Sequence, residues 1–154
     1  MITEALKKLL HKHDFVYVAT SDADGHPNVA PKYLVKFEGV FLYLVDYVIG
    51  RTWENLKVNP QAAVSLMDTE TLTGYQLKGK VSLITTGPEF TAIVADLEDK
   101  HVAATVERVI EGIRRAKKHH SFDLALPSNS VVYKLKVDEV IEIGSSGTLK
   151  REKI

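Results

Sequence analysis

Apolar positions along this chain follow two rhythms, period two and period three to four, and the points where one gives way to the other mark its elements. Thr3 to His11 puts Ala5, Leu6, Leu9 and Leu10 on one face with Lys7, Lys8 and Lys12 off it, which predicts a short amphipathic helix suited to capping a barrel end. Phe15 to Thr20 is β-rich, Asp22-Ala23-Asp24-Gly25 is turn chemistry, and Asn28 to Phe37 returns as a second strand, so the pair reads as a hairpin. Pro31 interrupts that second run. Proline cannot donate to a ladder, so Pro31 predicts an edge, a bulge or a departure of the strand toward something else. After Glu38-Gly39, the run Val40 to Val45 is apolar on both faces and predicts a central strand buried on both.

The run Arg51 to Pro60 after Gly50 predicts one short helix between strands, with Thr52 expected as its N-cap and Pro60 as its stop. Ala62 to Met67 and Tyr75 to Ile84 are two further strands, separated by a polar segment. Thr86-Gly87-Pro88-Glu89 starts a helical region expected to continue, with interruptions, to about Lys118, with Val102, Val106, Val109, Ile110 and Ile113 as its inner stripe. A loop from Ser121 to Ser130 leads to a last strand, Val131 to Val137, resuming across Val140 to Ile143 before a polar tail, Gly144 to Ile154. Strand–helix alternation is missing from the first half, so the pattern predicts a mainly β fold. The expectation is one domain over residues 1–154, a six-stranded barrel with short flanking helices and a helical insertion at about 88–118 before the last strand.

Composition narrows the chemistry. The 154 residues, 45% hydrophobic, suffice for one packed core. With no cysteine there is no disulfide, thiolate metal site or cysteine nucleophile, and any redox chemistry must come from a bound cofactor. Twenty basic and twenty acidic side chains cancel, so no bulk field recruits nucleic acid or an anionic membrane. The charged N-terminus lacks the apolar stretch of a signal peptide and no apolar run approaches a membrane span, which points to the cytoplasm.

Neither a Gly-rich dinucleotide fingerprint nor a phosphate loop occurs. Gly50-Arg51-Thr52 at a helix start is the remaining anion candidate: a guanidinium fork, a hydroxyl and unpaired backbone N–H groups converge there. Glu54 in the same turn complements the helix dipole without any ligand, which is the competing explanation. Lys32, close to the core beside Pro31, calls for a partner unless it snorkels to solvent. Gln76 and Lys78 share one face of their strand and offer donors to a heterocycle, although a solvated face explains them equally well. His11, His13, His119 and His120 have no metal-ligand spacing, so no metal site is expected, and Trp53, Tyr43, Tyr47 and Tyr75 read as core or interface aromatics.

The order of these parts resembles the pyridoxamine 5′-phosphate oxidase-like family, the FMN-binding split barrels, from about Phe15 to Ile143. The pieces that carry the resemblance are Val18-Ala19-Thr20, Asp24-Gly25-His26-Pro27-Asn28-Val29-Ala30-Pro31, Leu42-Tyr43-Leu44-Val45-Asp46, Gly50-Arg51-Thr52-Trp53-Glu54-Asn55-Leu56, Asn59-Pro60, Gly74-Tyr75-Gln76-Leu77-Lys78-Gly79 and Gly87-Pro88-Glu89-Phe90. It implies a six-stranded split barrel, a homodimer and one FMN per subunit at the dimer interface. By the same resemblance the phosphate-binding position falls on Arg51 and Thr52. The segment along the flavin ring falls on Val29, Ala30, Pro31 and Lys32, and the next strand contributes Val45 and Asp46. Gln76 and Lys78 match positions that approach the flavin or its phosphate. The family's C-terminal Arg-x-His substrate segment is missing from Thr148 to Ile154, so vitamin oxidation is not implied.

Three functions fit this reading. The first is an FMN-dependent oxidoreductase acting on a small substrate, with Lys32 or another donor near the ring's pyrimidine edge. The second is a non-enzymatic FMN electron carrier. The third is a split barrel holding another ligand, such as haem or a deazaflavin.

Overall fold

The computed structural model describes residues 2–46, 49–115 and 129–154, and leaves the side chains at 105, 108 and 113–115 undescribed. In chain order the elements are α1 (Glu4–Lys12), β1 (Phe15–Ser21), β2 (Pro27–Glu38), β3 (Phe41–Asp46), α2 (Arg51–Val58), β4 (Gln61–Asp68), β5 (Thr73–Ile84), α3 (Pro88–Arg115), β6 (Val131–Ile143) and β7 (Leu149–Lys153). Each strand pairs antiparallel with its neighbour in the order β3-β2-β1-β4-β5-β6-β7, and pairing of β3 with β6 closes the first six into a barrel. No helix among the described residues is long and apolar enough to cross a membrane.

Alternation along β1 shows why the barrel fills. Val16, Val18 and Thr20 point inward and are buried, while Phe15, Tyr17 and Ala19 face out. Leu34, Leu42, Leu44, Val64, Leu77 and Leu135 join them in the interior. Burying each such side chain stabilises by about 1.5–3 kcal/mol. Leu6, Leu9 and Leu10 of α1 close one end, with the Thr3 hydroxyl accepting the Leu6 N–H at 3.3 Å as N-cap.

β6 is the strand on which the barrel splits. Its first half, Val131 to Lys136, faces β3, and its second half, Glu139 to Ile143, leaves β3 and carries β7 instead. The turn between halves coincides with a register shift against β5 at Lys78/Gly79. Gly79 is required there, because a Cβ would lie inside the Lys136 carbonyl. The expected break near residue 138 is therefore a bulge in one continuous strand. The expected polar tail is also corrected: Leu149 to Lys153 forms β7, outside the barrel and exposed along its whole length.

β3 is buried on both faces, as its sequence predicts, because α3 covers its outer side. Ile93 and Leu97 of α3 pack on Tyr33, Val35, Tyr43, Val45 and Val132, forming a second core outside the barrel. Lys100 fastens the helix at mid-length, donating to the Leu34 carbonyl at 2.6 Å over the Tyr33 ring. The expected inner stripe is not the docked face: Val102 is 63% exposed and Val106 52%, with Val109 and Ile110 also exposed. The 28-residue helix is about 42 Å long, roughly twice the ~20 Å reach of the six-residue β3, so its C-terminal half overruns the surface that its N-terminal half covers. α3 runs unbroken to Arg115. The Ile113 side chain, the helix expected to Lys118, most of the Ser121 to Ser130 loop and Tyr47 lie outside the description.

Candidate functional site

β2 is longer than the strand beside it. Its pairing with β3 ends at Tyr33 opposite Val45, so residues 27–32 overhang with β1 on one side and, among the described residues, no strand on the other. The Leu34 N–H donates to the Asp14 carbonyl on the β1 side at 2.8 Å. Alternation then turns the peptide groups of Val29 and Pro31 toward the open side. Pro31 stays in the ladder opposite Tyr17, and the donor it lacks is on the side where no strand among the described residues would use it.

Between this overhang, the end of β3 and the start of α2 lies a groove of about 390 Å³. It brings together Ala30, Pro31 and Lys32 of β2, Val45 and Asp46 of β3, and Arg51 and Thr52 of α2. Val29 stands on the overhang with its side chain 66% exposed. Gln76 and Lys78 are not brought into this groove. They lie half-buried on the outward face of β5, Lys78 lining a second hollow of about 280 Å³ with Ala19, Ala63 and Gln61 and reaching Glu139 at 3.6 Å.

The α2 end of the groove is shaped by what caps it. Gly50, not Thr52, is the N-cap, and it supplies no side-chain hydrogen bond. The first-turn N–H groups of the helix therefore face the groove without an internal partner. Starting two residues earlier than expected carries Thr52 into the helix, where it is 2% exposed and its hydroxyl accepts from the Asn28 amide at 3.3 Å. Arg51 is well exposed, and its guanidinium meets the Glu54 carboxylate at 3.1 Å. Glu54 complements the helix start and pairs with the cation that an anion would use.

Every buried polar residue among those described surrounds this one barrel mouth: Thr20, Lys32, Asp46, Thr52, Asn55 and Ser130. Asn55 donates to the Thr20 hydroxyl at 3.1 Å, tying α2 to β1. Lys32 does not snorkel. It is 7% exposed and donates to Asp46 Oδ2 at 2.7 Å. The Tyr133 hydroxyl, 1% exposed, donates to the same oxygen at 3.1 Å. Burial, reinforced by the Asp46 charge, pushes the Tyr133 hydroxyl far above the usual phenol range, so it stays a donor.

Sequence reasoning passed over Asn28, Phe15, Tyr33 and Tyr133. The first three line the groove; Asn28 had a usable signal, since a hairpin from Thr20 places it beside the α2 start. Tyr133 had none, being 87 residues from Asp46. Elsewhere, Asp22, Asp24 and His26 bring one metal-ligand atom each within 4.8 Å of one another. The Asp22 carboxylate there already accepts the Asp24 and His26 backbone N–H groups, and pairs with the His26 ring, as a turn device.

A six-stranded barrel split at its last strand, with a groove on the overhang of its second, defines a split barrel. The chain belongs to the family described as pyridoxamine 5′-phosphate oxidase, which it matches over residues 2–144. No curated protein matches it in sequence. Among solved structures it is similar to HupZ of Group A Streptococcus at 23% identity and TM-score 0.63, covering 94% of this chain and 96% of that one. It is also similar to a pyridoxamine 5′-phosphate oxidase-related, FMN-binding protein of Nostoc punctiforme (14% identity, TM-score 0.58, 97% and 95% covered). A haem-binding protein of Mycobacterium smegmatis is a third such structure (18% identity, TM-score 0.66), with 96% of this chain and 55% of that one covered.

Proposed function

We propose that this protein binds FMN in the groove between β2 and α2, in a homodimer, and acts as a flavin-dependent oxidoreductase on a small substrate. The observation that carries the reading is the pairing of two unlike recognition elements in one groove. At one end is a helix start without a side-chain cap, carrying Arg51 and Thr52; at the other is an open strand edge beside a buried ammonium. FMN has a phosphate for the first and a polar ring edge for the second. A groove of about 390 Å³ lies within the roughly 300–1,000 Å³ range usual for cofactor sites. The family membership and the FMN-binding neighbour support the same ligand.

The bound flavin would supply hydride and electron transfer. Arg51, the Thr52 hydroxyl and the first N–H groups of α2 hold its phosphate. The Val29 and Pro31 peptide groups meet the polar rim of the ring, with Lys32 behind them and Val45 as apolar wall. Phe15, Tyr17, Val29 and Met67 leave an apolar outer face on β1, β2 and β4, with Ala19, Ala63 and Ser65 among them and Gln76 and Lys78 beyond. A second copy on this face, related by a two-fold axis, brings its own Gln76 and Lys78 toward the groove.

The test is an absorbance spectrum of the purified protein before and after incubation with FMN and desalting, with sedimentation for mass. Retained flavin bands on a dimer, followed by turnover of a reduced nicotinamide with a small acceptor, support the proposal. Retained flavin without turnover makes the protein a carrier. A protein that refuses FMN and takes up haem or a deazaflavin overturns the cofactor.

A further inference from the structure

A buried ion pair is seldom more stabilising than apolar side chains of the same volume, because both charges lose their hydration. Its presence at the groove wall therefore calls for a role beyond stability. The Lys32 ammonium has three N–H donors, and among the described residues Asp46 is its one hydrogen-bond partner. Asp46 Oδ2 is itself held by a second donor, Tyr133, whose hydroxyl lies inside the barrel and outside the groove. Lys32 and Asp46 line the groove; Tyr133 does not. The register explains how the three meet. Lys32 lies opposite Val16 on β1, Asp46 ends β3 opposite Val131, and Tyr133 follows two residues later on β6. The barrel mouth thus delivers a cation, its counter-charge and a rigid anchor from three strands.

We propose that Asp46 and Tyr133 are positioning residues that fix the Lys32 ammonium in the groove wall, leaving two of its donors for the ring edge that carries more negative charge when the ligand is reduced. This rests on the flavin reading. Asp46 neutralises Lys32 while the ligand is uncharged, and Tyr133 keeps the carboxylate from swinging into the groove, where it would repel the reduced ring. Tyr133 acts only through the other two, so its effect disappears when Lys32 is absent.

The experiment measures dissociation constants of oxidised and chemically reduced FMN on the whole protein, together with the midpoint potential, for wild type, Lys32→Met, Tyr133→Phe and the double variant. Asp46→Glu is added because it keeps the charge and moves only its place. Lys32→Met is expected to weaken the reduced form about tenfold more than the oxidised form, a potential about 30 mV more negative for a two-electron couple. Tyr133→Phe and Asp46→Glu should each give about a threefold differential, and Tyr133→Phe should add nothing in the Lys32→Met background. Folding is checked by thermal melts, and a collapsed Asp46→Glu leaves Tyr133→Phe as the deciding variant. A Tyr133→Phe protein with the wild-type ratio of affinities, or losses that add in the double variant, overturns the positioning role alone. A wild type that binds neither form of FMN overturns this inference together with the cofactor.

Discussion

Replacing Arg51 with Ala and Thr52 with Val separates the phosphate end of the groove from its ring end. A hydrogen bond between charged groups contributes about 1.5–3 kcal/mol. Arg51 is 66% exposed in its side chain and shares its charge with Glu54 at 3.1 Å, so screening places it at the lower end, about 1.5 kcal/mol. The buried Thr52 hydroxyl adds about 1 kcal/mol. Together they predict a loss of about 2.5 kcal/mol, roughly sixtyfold in the FMN dissociation constant. Riboflavin, which has the ring and no phosphate, is the control: its affinity should stay within about twofold, and FMN should fall toward it. Fluorescence quenching titrations measure both ligands. Thr52→Val keeps the side-chain volume and removes the 3.3 Å bond from Asn28, for which a Tm loss of about 2–4 °C is expected. Glu54→Gln should act oppositely, freeing Arg51 and tightening FMN two- to fivefold by about 0.4–1 kcal/mol. Equal losses for riboflavin and FMN, or none for either, would refute the assignment of the phosphate to the start of α2.

Three further perturbations probe the scaffold that presents the groove. Leu97→Ala removes a fully buried side chain from the core between α3 and the barrel; denaturant titration should show a loss of about 2–5 kcal/mol. Gly79→Ala drives a methyl into the Lys136 carbonyl and should destabilise by more than about 2 kcal/mol, whereas the same change at Gly74, where an added Cβ meets the Ile143 side chain at an ordinary 3.7 Å, should not approach that figure. Glu89 accepts Lys134 at 2.6 Å and the Tyr43 hydroxyl at 3.3 Å, and the Lys134 hydrogen bond, with its charge, holds the carboxyl below its ordinary 4.5. Because the folded value is the lower one, the contribution is complete above pH 4.5 and fades as pH falls through that lower value. Exchange protection of the Thr91 N–H, which donates to the Gly87 carbonyl at 3.0 Å at the start of α3, should therefore drop once pH falls below 4.5, and Glu89→Gln should show the acid behaviour already above it; protection unaffected by the substitution would remove the pair from the account.

The parts of the fold legible in the sequence are those in which one face meets the core and the other water. Phe15 to Ser21 alternates cleanly for that reason. β3 was legible from the opposite sign, since a strand covered by the barrel interior and by α3 has no polar face to show. β7 left no trace because Leu149-Lys150-Arg151-Glu152-Lys153 buries neither face and is held by pairing with β6. α3 misled through its own regularity: Val102, Val106, Val109 and Ile110 form a good stripe, but docking is decided by which half of the helix lies over a sheet, and Ile93 and Leu97 do. Within the groove, Arg51 and Thr52 were legible because a helix start announces itself locally, and Lys32 because an ammonium near a core is conspicuous. The Asp46–Tyr133 contact depends on closing the barrel between β3 and β6, which no local pattern encodes.

The overhang of β2 has a consequence for the protein before any ligand arrives. An unpaired strand edge is an invitation to other chains, since a row of alternating donors and acceptors can template a further strand. Here Pro31 has broken that row: between Pro27 and Lys32 the outward side retains the Val29 N–H as its one donor flanked by prolines on both sides. A stray β-strand would find two of the three donors of that row missing, while a compact molecule needing a single donor and a carbonyl or two would find all it requires. The proline thus keeps the opening in the sheet available without letting the sheet grow.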